Sequence, residues 1–399
     1  MISLAARGQA HLKSVDGLWP AVREKGVEVT QTGLYSARRH AWNYIKRMPV
    51  GGNPTLLINR NDLCRALLDQ LAPYRDRCEI SFNRSCLGVD LKKRIVHLAP
   101  ADGVMASQPY DLLVGADGVH SVVRNALLRQ PGFNFSQNSL NAVWKAIHVS
   151  RPTELQPGTT YFFNPNPAPA ANHPAPPGLA GAAMPAMNDS LCLLMFWQRS
   201  ADSEATNSPG IATPENFRET LAQQWLPGLT IAHEEARAWF EQSPSRIVET
   251  RCSRYHDPSG RVALLGDAAH GMSSAFAQGC QAGFADATAL ANLLRQYPDD
   301  LPTVLTQYSR QQVREGHAIT DLNAYLRPRA KWLSTLFKVY GALQMKMQRL
   351  APRWGNGPLF AQLARPDIPY SAIAHQYRGW IRLIRWSNRK TASNASNRD

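Results

Sequence analysis

The stretch from Arg261 to Leu294 constrains the fold more than any other part of this chain. The apolar run Val262–Leu265 is typical of a buried strand, and it stops at Gly266-Asp267. After a loop of small residues, apolar positions recur at spacings of three and four, which predicts a helix with one face in a core. These positions are Cys280, Phe284, Ala287, Leu290, Ala291 and Leu294. The first N–H groups of a helix have no partner inside it, so this unit predicts a site for an electron-rich ligand.

A second strand–turn–helix pattern lies about 150 residues earlier in the chain. The apolar run Leu112–Val114 leads into Gly115-Ala116-Asp117-Gly118, and Ser121 and Arg124 follow at fixed spacing. Either pattern alone is moderately specific for a family, whereas both together in this order are a strong indication of one family. The alternative is a pair of unrelated strand–turn–helix units.

The two patterns resemble the FAD-dependent aromatic hydroxylases, whose motifs are written GDAAH and DGxxSxVR. Within that family the sequence is most similar to the kynurenine 3-monooxygenases, through TRCSRYH, HAITDL and IPYSAIAHQ, and the likeness runs from Ile2 to about Trp380. The implied fold class is α/β (α+β). It comprises an incomplete Rossmann-type FAD-binding domain, a β-sheet substrate domain and a C-terminal helical region.

The resemblance also predicts domain boundaries. Residues 1–130 would belong to the FAD-binding domain, 131–250 to the substrate-domain sheet, 251–300 again to the FAD-binding domain, and 301–399 to a helical region with a basic tail. No GxGxxG motif, with an acidic residue about 20 positions later, occurs near the start. By the resemblance, we therefore expect that about 40 residues of the usual fold are missing before Ile2. In the family this segment holds the FAD pyrophosphate and the adenosine ribose.

Eight residues are assigned to FAD contacts by the resemblance. They are Arg60, Cys86, Asp117, Asp267, Gln278, Gly279, Cys280 and Gln281. A guanidinium at Arg60 would neutralise phosphate or bind the ribityl chain, although a surface salt bridge is the alternative. A buried structural thiol is the alternative for Cys86. The loop before the helix departs from the family, because Ala277 and Gln281 stand where glycine and asparagine are common and the usual proline is missing.

The chemistry that the resemblance implies belongs to the cofactor. NADPH would reduce FAD, O₂ would add to give a C4a-hydroperoxyflavin, and an aromatic substrate would be hydroxylated. No metal is required, and no catalytic side chain is predicted. His270 suggests a general base, although the histidine of this motif is more often structural.

Substrate contacts map onto Thr32, Val50, Leu326 and Phe360. The family has an arginine, a tyrosine, an asparagine and a second tyrosine at the corresponding positions, so this chain departs from it most on the substrate side. An arginine missing at Thr32 removes the bidentate partner of a substrate carboxylate. Two other functions are therefore compatible with the sequence. One is a truncated, non-catalytic derivative that lost the dinucleotide-binding start and acts as a binding or membrane-associated protein. The other, which the missing arginine and the basic, apolar tail favour, is a flavin oxidoreductase acting on a non-aromatic lipid.

Basic charge is concentrated in the last fifth of the chain. From Leu322 onward there are fourteen Lys and Arg residues and two acids, which supplies +12 of the total net charge of +14. The segments Lys331–Trp354 and Arg378–Lys390 combine this charge with apolar residues, which is typical either of a packed helix with a solvated face or of a helix on an anionic membrane surface. Without a recognition motif, nucleic acid is not predicted as a partner.

The cysteine pattern bears on location. The six cysteines form no CxxC pair and no metal-ligand spacing, which predicts reduced thiols in an intracellular protein. The predicted location is cytoplasmic or peripherally membrane-associated, and the family resemblance extends this to the mitochondrial outer membrane.

Overall fold

The computed structural model describes residues 1–36, 41–47, 54–100, 105–163, 180–199, 211, 213–226, 229–325, 328, 330, parts of 332–343, and 359–396. The strands are β1 (Ile2–Leu4), β2 (Gly26–Val29), β3 (Gln31–Ser36), β4 (Ala41–Lys46), β5 (Thr55–Ile58), β6 (Arg84–Asp90), β7 (Ile95–Pro100), β8 (Ala106–Pro109), β9 (Leu113–Gly115), β10 (Phe135–Ser150), β11 (Thr159–Phe163), β12 (Ala180–Ala186), β13 (Ser190–Gln198), β14 (Ser245–Cys252) and β15 (Val262–Leu264).

The helices follow the same order along the chain. They are α1 (Ala6–Lys13), α2 (Leu18–Glu24), α3 (Arg60–Asp69), α4 (Val122–Leu127), α5 (Pro214–Thr220), α6 (His233–Glu241), α7 (Asp267–His270), α8 (Gly279–Gln296), α9 (Leu301–Tyr325), α10 (Leu359–Ala364), α11 (Tyr370–Gln376) and α12 (Arg378–Ser396). The predicted mixture of strands and helices in an α/β (α+β) fold is confirmed.

The chain divides into two compact units. Unit 1 comprises Met1–Gln9, Lys13–Tyr74 and Ser139–Ile247, and unit 2 comprises Ala10–Leu12, Arg75–Asn138 and Val248–Asp399. This division groups segments that are far apart in sequence. The boundaries at 130, 250 and 300 that the family resemblance implies stay a prediction.

Unit 1 is organised on a seven-stranded sheet of order β14-β10-β13-β12-β11-β3-β4, whose strands β10 and β14 continue into unit 2. One face of this sheet packs on α5 and α6, because every second residue of the central strands is apolar. Trp197, Trp239 and Phe217 are buried there, with the rings of Phe217 and Trp239 stacked at 4.3 Å. A separate antiparallel sheet of order β1-β5-β2 contains the strand at the start of the chain, Ile2–Leu4.

Unit 2 contains the parallel pair β15-β9 and the antiparallel sheet β6-β7-β8. Val262, Ala263 and Leu264 are fully buried, as expected for a strand in a core. A second apolar cluster joins α9 to the C-terminal helices through residues such as Ile319 and Ile373. These two cores hold the predicted ligand-binding turns in place.

Two helices differ from their predicted form. The apolar residues Ala10, Leu12, Val15, Leu18 and Val22 predict one amphipathic helix, but Gly17 adopts φ +70° between α1 and α2 and divides the segment into two helices. The α8 helix is present, but its most buried side chains include Asp286, whereas the predicted core residue Ala287 is exposed. Apolar periodicity could not predict this difference, because it does not anticipate a carboxylate on the core-facing side of the helix.

Candidate active site

The strands of the two sequence motifs lie side by side in unit 2. β15 pairs with β9 in parallel, with Leu264 opposite Gly115, and the Leu265 N–H donates to the Gly115 carbonyl at 2.9 Å. Parallel strands end at the same edge, so the turns bearing Asp117 and Asp267 leave the pair together. The structure thus brings together two elements that are about 150 residues apart in sequence.

The Gly266 turn packs directly on α8. Gly266 has φ +58° and ψ −136°, a conformation that strains any residue with a Cβ. Its N–H donates to the Asp286 carboxylate at 2.8 Å, and a Cβ on Gly283 would lie 3.8 Å from the α-carbon of Gly266. The turn and the helix are therefore held at close range by small residues.

Gly279 opens α8 beside Asp267. A Cβ built on Gly279 would have Asp267 Oδ1 and Met272 Cγ as its nearest neighbours, both at 3.9 Å, so the space in front of the backbone is open. A carboxylate acceptor and helix N–H groups border this space. They fit a flat ligand that carries hydroxyl groups, as the riboflavin part of FAD does.

The Asp117 carboxylate caps α4. Its Oδ2 accepts hydrogen bonds from the N–H groups of Val122 and Val123 at 2.7 and 3.2 Å, and its side chain is exposed. Arg124 from the same motif is buried, and its guanidinium donates to the carbonyls of Ala268 and Val119. Arg124 therefore ties the first motif to the GDAAH motif, a link that the spacing alone did not reveal.

The loop before α8 has its own internal bonds. Ala277 adopts φ +52°, and its carbonyl accepts from the buried Gln281 side chain at 3.0 Å, so the two residues that depart from the family contact each other. The buried Gln278 side chain accepts from the Tyr370 hydroxyl at 2.7 Å. Both glutamine side chains are thus committed to the protein, and their predicted FAD contacts, like that of the half-buried Cys280, stay a prediction.

His270 is a structural residue in this geometry. Its Nε2 lies 2.6 Å from the Asp286 carboxylate, and both side chains are buried. Burial acts to lower the pKa of His270, but the Asp286 charge and hydrogen bond outweigh it and raise that pKa. A histidine so enclosed is not placed to take a proton from a substrate.

Two other predicted FAD contacts lie in different units. Arg60 is exposed in the first turn of α3 in unit 1, where the Asn59 side chain caps the helix. Cys86 in unit 2 is half-buried, and burial raises the pKa of its thiol, with the Asp117 charge acting in the same direction. The strand that carries Cys86, β6, packs against α4 of the first motif, and the roles of both residues stay predictions.

The predicted substrate positions are described in part. Val50 and Leu326 lie outside the described residues. Phe360 is 58% exposed, and its ring meets Phe276 edge to face at 5.3 Å, which places it against the loop before α8.

In unit 1, Thr32 accepts a hydrogen bond from Arg47 Nε at 2.6 Å. Sequence reasoning missed the contact of Arg47 with Thr32. The signal that would have found it is the antiparallel register of β3 and β4, which places Ile45, two residues before Arg47, opposite Thr32.

Comparison with known sequences decides the family. The pattern of the family described as FAD binding domain matches residues 12–322, which is more than half of the chain. The chain belongs to this family. The predicted membership of the FAD-dependent monooxygenases, and FAD as their cofactor, are thereby confirmed.

Named relatives of this FAD-binding protein are kynurenine 3-monooxygenases. It is 28% identical over 375 residues to kynurenine 3-monooxygenase 2 of Aspergillus niger, covering 84% of this chain and 72% of the relative. It is 25% identical over 379 residues to the Flavobacterium johnsoniae kynurenine 3-monooxygenase, covering 93% and 80%. The solved structure of Klebsiella pneumoniae HpxO complexed with FAD and uric acid shares the fold, with 20% identity, a TM-score of 0.58, and coverage of 95% and 87%.

The C-terminal helix α12 of this FAD-binding protein directs its apolar face inward. Ile381 and Ile384 are buried in the apolar cluster with α9 and α11, and the Arg385 guanidinium donates a hydrogen bond to the Asp321 carboxylate. Among the helices of the described ranges, none has the length and apolar content needed to cross a bilayer. Most of Lys331–Trp354 lies outside the described residues.

Proposed function

We propose that this chain hydroxylates an aromatic substrate with NAD(P)H and O₂ as co-substrates, by the flavin–oxygen chemistry that the sequence predicts. The observation that carries the proposal is the open space between Asp267 and the start of α8, at the edge where both motif turns leave β9 and β15. The kynurenine 3-monooxygenase relatives support the reaction class.

When bound, FAD supplies the redox chemistry. The chain's own residues bind and orient it. The Asp267 carboxylate would accept hydrogen bonds from hydroxyl groups, and the first N–H groups of α8 would face electron-rich ring atoms. Phe360 and Phe276 offer an apolar wall that would orient an aromatic ring and exclude water. No side chain is assigned a proton transfer.

The first experiment is the visible absorption spectrum of the full chain with and without added FAD. We expect a bound spectrum with shifted peaks, and Asp267→Ala should weaken FAD binding at least tenfold, because one charged acceptor contributes about 1.5–3 kcal/mol. Asp299→Ala removes an exposed carboxylate of the same unit and serves as the matched control. A chain that holds no FAD would contradict the proposal and favour the non-catalytic alternative.

Substrate turnover separates the remaining functions. Aromatic compounds should stimulate NAD(P)H oxidation, and the product should gain one oxygen atom by mass spectrometry. Bound FAD without any such stimulation would instead favour an oxidoreductase acting on a non-aromatic lipid. In that case lipid-dependent NAD(P)H oxidation is the measurement to make.

Attachment to an anionic membrane is a further part of this proposal. Trp386 is 53% exposed on the basic helix α12, which suits an interfacial position. Sedimentation with vesicles containing phosphatidylserine tests it, with Trp386→Ala expected to weaken binding. The apolar face of α12 is already buried, so we expect membrane binding to depend on its basic residues and to require anionic lipid. Equal sedimentation with neutral and anionic vesicles would therefore contradict this part of the proposal. Location inside the cell stays a prediction.

A further inference from the structure

Residues 368–376 carry the sequence IPYSAIAHQ, to which the proposed function assigns no role. Its tyrosine, Tyr370, is the first residue of α11 and directly follows the N-cap Pro369. The side chain is buried in the apolar cluster that joins α9 to the C-terminal helices, although it ends in a polar hydroxyl. A buried tyrosine hydroxyl normally has a hydrogen-bond partner, and that partner indicates which part of the protein the residue holds.

The partner of Tyr370 belongs to the loop before α8. The Tyr370 hydroxyl donates to Gln278 Oε1 at 2.7 Å, and Gln278 Nε2 donates to the Phe276 carbonyl at 3.0 Å. Tyr370 and Gln278 are only 3% and 4% exposed. The oxygen of this buried amide is therefore fixed by α11 and its nitrogen by the loop, which gives the side chain a single orientation.

Gln278 is the residue through which the loop enters α8. It is the N-cap of that helix, and its carbonyl accepts the Ala282 N–H at 2.8 Å. The next residue, Gly279, borders the open space beside Asp267. A movement of the Gln278 backbone would therefore move the first N–H groups of α8, which border the same space.

The helix α11 is a rigid element from which to hold the loop. Ile373 of α11 and Ile319 of α9 are fully buried in the same cluster, and the Ser371 N–H donates to the Glu315 carboxylate at 3.2 Å. Binding groups are held most precisely when their supporting side chains come from packed helices. Tyr370 thus connects the C-terminal helical region to the start of α8.

We infer that Tyr370 is a positioning residue for the flavin. Its hydrogen bond to Gln278 holds residues 273–278, and with them the start of α8, in the form that binds the cofactor. The inference rests on the proposed function, which takes the space beside Asp267 as the flavin site. It gives the C-terminal helical region a part in cofactor binding, although none of the residues predicted to contact FAD lies in that region.

Tyr377 provides a matched control at the other end of α11. It is 1% exposed in the same cluster, and its hydroxyl accepts a hydrogen bond from Gln362 Nε2 of α10 at 3.2 Å. Tyr377→Phe therefore removes a buried hydroxyl that bonds α10, whereas Tyr370→Phe removes one that bonds the loop before α8. Both variants should lose stability, but only Tyr370→Phe should alter flavin binding.

The experiment titrates the full chain with FAD and records the affinity and the absorption spectrum of the bound flavin. We expect Tyr370→Phe to weaken FAD binding about tenfold, because it leaves a buried amide oxygen without its donor. The spectrum of the bound flavin should also shift toward that of free FAD. Tyr377→Phe should change the affinity by less than about twofold and leave the spectrum unchanged.

A double-mutant cycle separates positioning from a general loss of stability. Gln278→Met removes the acceptor, so Tyr370→Phe added to it should weaken FAD binding by less than about twofold more. A loss of about tenfold in both backgrounds would show that Tyr370 acts on the whole fold, and it would overturn the inference. Circular dichroism checks folding. If Tyr370→Phe does not fold, Gln278→Met alone tests the same bond and should weaken FAD binding about tenfold.

Hydrogen–deuterium exchange of the flavin-free chain tests the loop without relying on the cofactor. The backbone amides of residues 273–279 should exchange faster in Tyr370→Phe than in wild type, and equally in wild type and Tyr377→Phe. If FAD binds equally well to wild type and Tyr370→Phe, the inference fails and the proposed function stands. If the chain binds no FAD at all, the proposed function fails. Faster exchange in Tyr370→Phe then supports the assignment of Tyr370 to the loop, and unchanged exchange overturns it.

Discussion

The Nε2 of His270 lies 2.6 Å from the carboxylate of Asp286, and the same carboxylate accepts the Gly266 N–H at 2.8 Å. One buried acid therefore fixes both the GDAAH histidine and the turn that presents Asp267. Asp286→Ala should lower the free energy of unfolding by about 3 kcal/mol, because it leaves a buried cation and an N–H group without their acceptor. Urea denaturation measures this. Asp286→Asn keeps an acceptor and should lose less, and a loss below about 1 kcal/mol in Asp286→Ala would contradict the assignment.

Stability should depend on pH through the same pair. The pKa of His270 is raised in the fold, so its stabilising contribution is complete below the unfolded pKa of about 6.5 and declines as pH rises through the folded pKa. His270→Gln keeps a donor near Asp286 but cannot titrate. The stability difference between wild type and His270→Gln should therefore shrink from pH 6 toward alkaline pH. Urea midpoints across this range test the sign, and a difference that grows with pH would contradict it.

Ala277 has a left-handed backbone, with φ +52° and ψ +37°. This conformation costs a residue with a Cβ roughly 1–2 kcal/mol, so Ala277→Gly should raise the free energy of unfolding by about 1 kcal/mol. The matched control is Ala275→Gly, which is also exposed but has no positive φ and should be destabilising by up to about 1 kcal/mol. Thermal melting distinguishes the two. Equal effects of both substitutions on the melting temperature would contradict the backbone strain assigned to Ala277.

Gly316 lies in the interior of α9, where alanine normally stabilises a helix. A Cβ at this position would overlap the Tyr255 hydroxyl and lie 3.1 Å from His270 Cβ. Gly316→Ala should therefore lower the free energy of unfolding by about 1–3 kcal/mol. Gly379→Ala in α12 meets no atom within 4 Å and is the control, expected to be neutral or stabilising. The prediction is wrong if both substitutions stabilise the protein in chemical denaturation.

Lys145 is buried in unit 1, with its Nζ 2.8 Å from the Trp239 carbonyl and 4.4 Å from the Trp239 ring centroid. Burial lowers the pKa of Lys145 to about 8. The unfolded chain binds the proton more tightly, so wild type should gain stability relative to Lys145→Met as pH rises from 7 to 9.5. The expected gain is about 2 kcal/mol. Urea denaturation of both proteins at the two pH values measures it, and a constant difference would show that the ammonium is not desolvated.

The local elements of the site could be predicted from the amino-acid sequence. Apolar runs that stop at Gly266-Asp267 and Gly115–Gly118 predicted the two strand ends, and the spacing after Gln278 predicted α8. These features depend on backbone preferences and on one buried face, and both are written in neighbouring residues. The family resemblance then followed from the order and spacing of the two motifs.

Which side chains meet depends on the folded chain. The Arg47–Thr32 bond depends on the register of two antiparallel strands, and the Phe276–Phe360 contact joins residues 84 positions apart. Asp286 is buried in α8 while the neighbouring Ala287, which was expected in the core, is exposed, because a carboxylate with two donors is stable where an isolated one is not. Periodicity records how apolar a position is, whereas a buried polar contact depends on partners brought in from elsewhere in the chain.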